Sequence, residues 1–280
     1  MRISGGTAVA GLIGRPVAHS LSPLLHNAWL EAAGVDGVYV PLEVATEHAA
    51  RSLVDGLRGG GSLRGLNVTA PYKEVAIAIA DRADAAAAAA GAANLLLIEP
   101  DGSVLARNTD GLGMLHALHV QARYEVQGAT VVLVGAGGAA RGAAATLLNA
   151  GAAQVRIVAR TIARGEALAS SLGDQVQAFP LAESRRAAEG ATLLVNAAPA
   201  DAEPDLRLLQ ALGPGAAVMD MNYRPLRTPW LAAAEARGLA TVDGLEMLIG
   251  QARPSFAAFF GRRPPPLDVR ALALSALETG

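Results

Sequence analysis

The stretch Thr130-Val131-Val132-Leu133-Val134-Gly135-Ala136-Gly137-Gly138-Ala139-Ala140-Arg141 decides the fold. Apolar and β-branched residues run straight into Gly-x-Gly-x-x-Ala and then into an alanine-rich segment ending near Ala150. That pattern predicts a buried strand, a tight turn and a helix. Gly135 permits the turn, Gly137 lets the backbone approach a pyrophosphate, and the amides that open the helix receive the anion. Ala140 stands in the third glycine's place. Five more strands follow at α/β spacing, over 155–159, 176–179, 193–195, 216–220 and 240–242. Six strands with intervening helices complete a dinucleotide-binding domain. The end of its second strand selects the cofactor, because NAD-binding domains usually carry a carboxylate there for the ribose hydroxyls. Here the residues are Ala159-Arg160-Thr161-Ile162-Ala163-Arg164. Two guanidinium groups suit a 2′-phosphate through charge-assisted, fork-shaped hydrogen bonding, so NADP is the expected cofactor.

Upstream lies a second alternation of strands and helices, an α/β unit ending near residue 110. A strand over 9–14 leads into the polar loop Arg15-Pro16-Val17-Ala18-His19-Ser20-Leu21-Ser22-Pro23 and a helix to about Ala33. Ser22 before Pro23 reads as a helix N-cap and first-turn pair, whereas Ser20 has no such structural role. A strand over 38–44 and an amphipathic helix over 46–57 follow. Leu66-Asn67-Val68-Thr69-Ala70-Pro71-Tyr72-Lys73 then reads as a strand end, a polar turn and a proline-started helix. Lys73 falls in the first helical turn, where the positive end of the helix dipole disfavours a cation, so its retention points to chemistry. Residues 81–91 read as one alanine-rich helix. Asn94–Ile98 and Val104–Ala106 flank the turn Asp101-Gly102, a hairpin, and Arg107-Asn108-Thr109-Asp110-Gly111 then leads into a helix to about Ala122.

A chain of 280 residues accommodates two domains. A net charge of −2 and the lack of any basic run give no support to nucleic-acid binding. There is no cysteine, hence no disulfide framework and no thiolate metal site. The N-terminal run lacks a signal-peptide core and cleavage site. Alanine inflates the hydrophobic fraction of 52%, and no apolar run approaches the ~18 residues of a membrane span. A cytoplasmic protein without a membrane partner is expected. His116 and His119 share a helical spacing but have no acidic or histidine neighbours, so they read as surface residues and no metal is expected. Past the sixth strand, Leu245, Leu248, Ile249, Ala252, Phe256, Phe259 and Phe260 repeat at helical spacing and must pack on something. Pro254 predicts two shorter helices rather than one. Pro264-Pro265-Pro266 reads as a linker before a final helix.

With these residues in view, the chain resembles the shikimate dehydrogenase family over essentially its full length. The motifs are Gly14-x-Pro16-x-x-His19-Ser20-x-Ser22-Pro23-x-x-His26-Asn27, Asn67-Val68-Thr69-x-Pro71-Tyr72-Lys73, Gly91-Ala92-Ala93-Asn94 and Asn108-Thr109-Asp110-Gly111. They continue with Gly135-Ala136-Gly137-Gly138-Ala139, Asp220-x-x-Tyr223-x-Pro225-x-x-Thr228-Pro229 and Gly244-x-x-Met247-Leu248-x-x-Gln251. The resemblance implies two α/β domains around a cleft: 1–110 with 247–280 binding substrate, and 111–246 a six-stranded Rossmann-type domain binding NADP. It implies NADPH-dependent reduction of 3-dehydroshikimate to shikimate, in aromatic amino-acid biosynthesis, by a monomer or homodimer. Lys73 and Asp110 would be the catalytic pair. Ser20, Ser22 and Tyr223 would hold the substrate carboxylate, and Asn67, Thr69, Asn94 and Gln251 the rest of the substrate. Gly135, Ala136, Gly137, Gly138, Ala139, Arg160, Thr161, Arg164, Met221 and Gly244 would hold the cofactor.

Three positions depart from the family pattern and remove a hydrogen-bonding group. Leu95 replaces a usual Thr, Ala159 replaces an Asn before the phosphate-binding Arg, and Ala198-Pro199 follows Asn196-Ala197 where Thr is common. Two other functions are compatible with parts of the sequence. A quinate or aminoshikimate dehydrogenase would use the same Lys and Asp with different ring contacts. A catalytically silent NADP-binding protein could lose Lys73 or Asp110, yet both stand inside intact motifs.

Overall fold

Strands and helices alternate along the chain in the computed structural model, which describes residues 3–59, 61–199 and 202–279. The chain divides into two units, Met1–Asp110 with Leu248–Gly280, and Gly111–Met247. In the first unit the order is β1 (Ala8–Gly14), α1 (Ser22–Ala32), β2 (Gly37–Glu43), α2 (Glu47–Leu57), β3 (Leu63–Val68), α3 (Lys73–Ile79), β4 (Arg82–Ala83), α4 (Ala85–Ala90), β5 (Leu95–Ile98) and β6 (Val104–Arg107). Helix α5 (Asp110–Ala122) carries the chain into the second unit. There follow β7 (Thr130–Val134), α6 (Gly138–Asn149), β8 (Gln154–Ala159), α7 (Ile162–Leu172), β9 (Val176–Pro180), α8 (Ser184–Ala188), β10 (Leu193–Asn196), α9 (Leu206–Ala211), β11 (Ala217–Asp220), α10 (Pro229–Glu235) and β12 (Ala240–Val242). Helix α11 (Gly244–Phe260) brings the chain back to the first unit, where α12 (Val269–Thr279) ends it.

The first sheet has six strands in the order β2-β1-β3-β5-β6-β4. Strands β2, β1 and β3 are parallel, and β5 and β6 form an antiparallel hairpin with Leu96 opposite Ala106. Strand β1 lies between its two sequence successors, so the chain leaves β1 and β3 at adjacent carboxyl ends, where Ile13 pairs with Val68. Open α/β sheets offer their ligand crevice at such a reversal of strand order. On one face Ile13, Leu66, Val68 and Leu96 pack against Ala50 and Val54 of α2 and Val75 of α3. On the other, His26 and Trp29 of α1 meet Phe256 of α11.

The second sheet is fully parallel, in the order β12-β11-β10-β7-β8-β9, the doubly wound arrangement of a dinucleotide-binding fold. Its strands are apolar on both faces because helices cover both. Val131 and Leu133 join one core with α5 and α6, while Val132 and Val134 join another with α9 and α10.

Four local readings of the sequence need correction. Pro71 does not start α3: the Tyr72 N–H closes a turn onto the Thr69 carbonyl at 3.0 Å, and the helix begins at Lys73. Ser22 is the first residue of α1 rather than its cap; Leu21 holds the cap position and makes no side-chain hydrogen bond. Residues 81–91 are not one helix. Arg82-Ala83 pairs with β6, and Asp84, whose carboxylate accepts the Ala87 N–H at 2.7 Å, restarts the chain as α4. Pro254 does not divide α11, which runs unbroken through it. A proline inside a helix costs ~3 kcal/mol. Burying Ile249, Phe256 and Phe259, which are 1%, 0% and 3% exposed, contributes ~1.5–3 kcal/mol each and outweighs it.

Candidate active site

Lys73 and Asp110 meet at the carboxyl-end side of the first sheet. Lys73 Nζ donates to Asp110 Oδ2 at 2.5 Å, with side chains 34% and 23% exposed, so the pair is accessible without being freely solvated. Each residue is placed by its neighbours in sequence. The Lys73 carbonyl accepts the Ala93 N–H at 2.8 Å, which ties the start of α3 to the segment entering β5. The Asp110 N–H donates to Asn108 Oδ1 at 3.0 Å, a local side-chain turn that opens α5. Asn108 Nδ2 is itself held by the Ala92 carbonyl at 2.9 Å.

Asn94 fixes the second oxygen of the aspartate. Its Nδ2 donates to Asp110 Oδ1 at 2.8 Å, to Thr109 Oγ1 at 3.0 Å and to Gln251 Oε1 at 3.1 Å. Its Oδ1 accepts the Thr109 N–H at 2.8 Å. Thr109, 1% exposed, also donates to the Gln251 carbonyl at 3.1 Å, so α11 is pinned beside the pair. The structure thus brings Lys73, Asp110, Asn94 and Gln251 together directly. Asn67 joins them from β3, since its Nδ2 donates to the Asn94 carbonyl at 2.9 Å.

Thr69 follows on the same turn. A Cβ at Gly14 would come 2.3 Å from Thr69 Cγ2 and 3.1 Å from the Ala70 carbonyl oxygen, so only glycine at the end of β1 lets this turn sit where it does. The Arg15 N–H, donating to the Ala70 carbonyl at 3.0 Å, ties the serine-bearing loop to the same turn. In that loop Ser20 Oγ accepts the Ser22 N–H at 3.2 Å. The Ser22 hydroxyl has no partner among the described residues, although Ser22 is 5% exposed. No acidic side chain lies in the first turn of α1. The expectation for these two serines is therefore reversed: Ser20 is the one with local structural work.

In the second unit, Gly135 turns with φ +112°, and a Cβ there would come 3.2 Å from the Ala197 carbonyl oxygen. A Cβ on Gly137 would meet nothing within 4 Å, so this backbone faces open space, and α6 has no acidic side chain in its first turn. Ala136 and Gly138-Ala139 complete the turn, and Ala140 is fully buried beneath it. Arg160 and Arg164 are exposed, and their guanidinium groups, like the Thr161 hydroxyl at the N-cap of α7, have no hydrogen-bond or ion-pair partner among the described residues. Open backbone and unpaired cations fit a nucleotide bearing a phosphate beyond its pyrophosphate.

The loops after β10 and β11 stand beside this turn. Asn222 Nδ2 donates to the Ala198 carbonyl at 2.9 Å, and Asp220 accepts from Thr228 Oγ1 at 2.7 Å, closing the loop that carries Tyr223. Tyr223 is half-buried in that loop. Met221 is half-buried too, and a Cβ at Gly244 would come 2.5 Å from the Met221 carbonyl oxygen, so Gly244 is demanded by close backbone packing. His116 Nε2 lies 3.2 Å from Glu246 Oε1, an acidic neighbour that sequence distance concealed. Three residues to which the sequence reading gave no role, Asn108, Thr109 and Ser255, support the site. The Asn two positions before Asp110 was the one local signal.

Known proteins match this chain along nearly its whole length. Family models match residues 12–96 (shikimate dehydrogenase substrate binding domain), 118–203 (shikimate/quinate 5-dehydrogenase) and 244–274 (shikimate 5′-dehydrogenase C-terminal domain). The shikimate dehydrogenase (NADP(+)) of Caulobacter vibrioides is 49% identical, with 98% of each chain aligned. The crystal structure of shikimate 5-dehydrogenase from Listeria monocytogenes with shikimate and NAD superposes with a TM-score of 0.88 at 29% identity, covering 98% of each chain. The Thermus thermophilus enzyme in complex with NADP(H) and shikimate gives 0.84 at 34% identity, over 96% of this chain and 100% of that one. Near-complete alignment at such identity, on the same two sheets, leaves one conclusion: the chain belongs to the shikimate dehydrogenase family.

Proposed function

We propose that the protein catalyses the reversible, NADPH-dependent reduction of 3-dehydroshikimate to shikimate. The observation that carries this reading is the Lys73–Asp110 pair at 2.5 Å, with the other carboxylate oxygen of Asp110 held by Asn94. Reducing a ring ketone takes a hydride at carbon and a proton at oxygen. NADPH held at the glycine turn would supply the hydride. Lys73 Nζ stands as the donor of the proton and, in the oxidation of shikimate, its acceptor. Asp110 holds the ammonium in place and offers an acceptor to a ring hydroxyl. The two hydrogens of Asn94 Nδ2 are shared among three acceptors, so one can turn to a ring hydroxyl while the other keeps Asp110 aligned. Thr69 and Gln251 extend the same set of hydroxyl contacts.

For the substrate carboxylate, the start of α1 offers free amide dipole and the unpartnered Ser22 hydroxyl, with Ser20 shaping the loop. For the cofactor, Gly135–Ala139 receive the pyrophosphate, and Arg160, Thr161 and Arg164 receive the 2′-phosphate. The names of the relatives agree: the Caulobacter protein is an NADP(+) enzyme, and the Thermus structure holds NADP(H) with shikimate. The test is the purified protein with shikimate or quinate, and NADP or NAD, followed at the nicotinamide absorbance. Shikimate with NADP is expected to give the highest kcat/KM. Absence of shikimate turnover with either nucleotide overturns the proposal.

A further inference from the structure

Asn67 is held from three sides by groups on three different elements. Tyr39 Oη, from β2, donates to its Oδ1 at 2.9 Å. Its Nδ2 donates to the Asn94 carbonyl at 2.9 Å and to Ser255 Oγ, from α11, at 3.0 Å. A carbonyl can only accept, so the nitrogen of the amide must face Asn94, and the orientation of the side chain is settled by chemistry. The Ser255 hydroxyl sends its own hydrogen to the Gln251 carbonyl at 3.2 Å and keeps a lone pair for Asn67. Both hydrogens of the Asn67 amide are therefore committed to the protein. One lone pair on Oδ1 is left.

We propose that Tyr39 and Ser255 are positioning residues that lock Asn67 as an acceptor-only group, so that it reads a ring hydroxyl of the substrate and takes no part in holding the carboxylate. This rests on the shikimate reading above and refines it. Tyr39 is well placed for such a role, being 1% exposed with the His26 ring stacked on it at 4.1 Å and planes 6° apart. Burial pushes its phenol well above the usual tyrosine range, so it remains a donor at every working pH. Ser255 is fully buried and lies one helical turn after Gln251, so a single face of α11 touches both Asn94 and Asn67.

The test is the affinity of the full-length protein for shikimate alone, measured by calorimetry without nucleotide. The proteins are the unmutated chain, Tyr39→Phe, Ser255→Ala, Asn67→Ala, and each of the first two combined with Asn67→Ala. Tyr39→Phe and Ser255→Ala are each expected to weaken shikimate about tenfold, the effect of one lost buried hydrogen bond, with NADP affinity unchanged. Beside Asn67→Ala the same changes should cost less than about twofold, because residues acting through one another are non-additive. Equal losses in both backgrounds, or no loss in the single variants, overturn the proposal. A second arm needs no change at Asn67: with shikimate analogues each lacking one ring hydroxyl, the Tyr39→Phe and Ser255→Ala penalties should vanish for one analogue. Penalties that persist for every analogue overturn it equally. Should Tyr39→Phe fail to fold, Ser255→Ala carries both arms alone. If the unmutated protein does not bind shikimate, the functional reading fails and not merely this refinement.

Discussion

The Asn94 amide donates to Asp110 and also to Thr109 and Gln251. Lys73 is held in turn by the carboxylate, so lysine, aspartate and asparagine form one bonded unit. Lys73→Met is expected to lower kcat by ~10²–10⁴-fold with NADP binding intact, the range of general acid–base catalysis. Asp110→Asn should also lower kcat, and the double variant should be little worse than the worse single one. A Lys73→Met protein that keeps most of its kcat would return this residue to an ordinary surface lysine. At the cofactor end, Arg160 has no competing carboxylate among the described residues. Arg160→Asp should therefore weaken NADP at least tenfold, since hydrogen bonds to charged groups contribute ~1.5–3 kcal/mol, and should weaken NAD far less. Comparing KM for the two nucleotides in this variant and the unmutated protein decides it.

At the scale of elements, the start of α1 and the length of α11 diverge most from what sequence rules dictate. Ser22 before Pro23 has the composition of a cap, but Ser20 occupies the position from which a hydroxyl can reach the Ser22 amide. Ser22→Ala is thus the cleaner probe of the proposed carboxylate site. It removes a hydroxyl without a partner among the described residues and should raise KM for shikimate while leaving stability within ~0.5 kcal/mol. Ser20→Ala should disturb both, because it also frees a helix amide. In α11, Pro254 denies the Gly250 carbonyl its helical donor, yet the helix continues because its aromatic face is buried. Pro254→Ala is expected to raise stability by ~1–3 kcal/mol, read as a shift in the urea midpoint, with little change in kcat. A loss of stability would show that the helix depends on a bend at this position.

On the scale of the whole molecule, His26 couples the aromatic core of the first unit to pH. It is fully buried, and both ring nitrogens lack a hydrogen-bond partner among the described residues. Burial pushes its pKa down to about 3, whereas a histidine in the unfolded chain titrates near 6.5. Above ~6.5 the group is neutral in both states and contributes no pH dependence. Below that, the unfolded chain alone takes the proton, and stability falls by up to ~1.4 kcal/mol per pH unit until about pH 3. Urea unfolding at pH 7.5 and 5.0 should show a decline that His26→Phe reduces by roughly 2 kcal/mol. An identical decline in that variant would remove His26 as its source. The sequence by itself determined the doubly wound second sheet, because a strand, Gly135-x-Gly137 and a helix are adjacent in the chain and each follows a local rule. It also marked Arg160 and Arg164, whose meaning comes from their place at a strand end. Lys73 stood out by its place in a first helical turn, where a cation is disfavoured, but Asp110 and Asn94 were legible only through the family resemblance, since each is separately an ordinary residue type. Tertiary structure alone decided that Asn94, itself bonded to Thr109 and Gln251, holds Asp110, that Tyr39 and Ser255 hold Asn67, and that α11 survives Pro254. Ser255 and Asn67 are 188 positions apart, and no propensity or spacing rule reaches across such a distance. Their hydrogen bond exists because the sheet and the returning helix bury both groups where water cannot satisfy them, and a buried polar group must then find its partner in the protein.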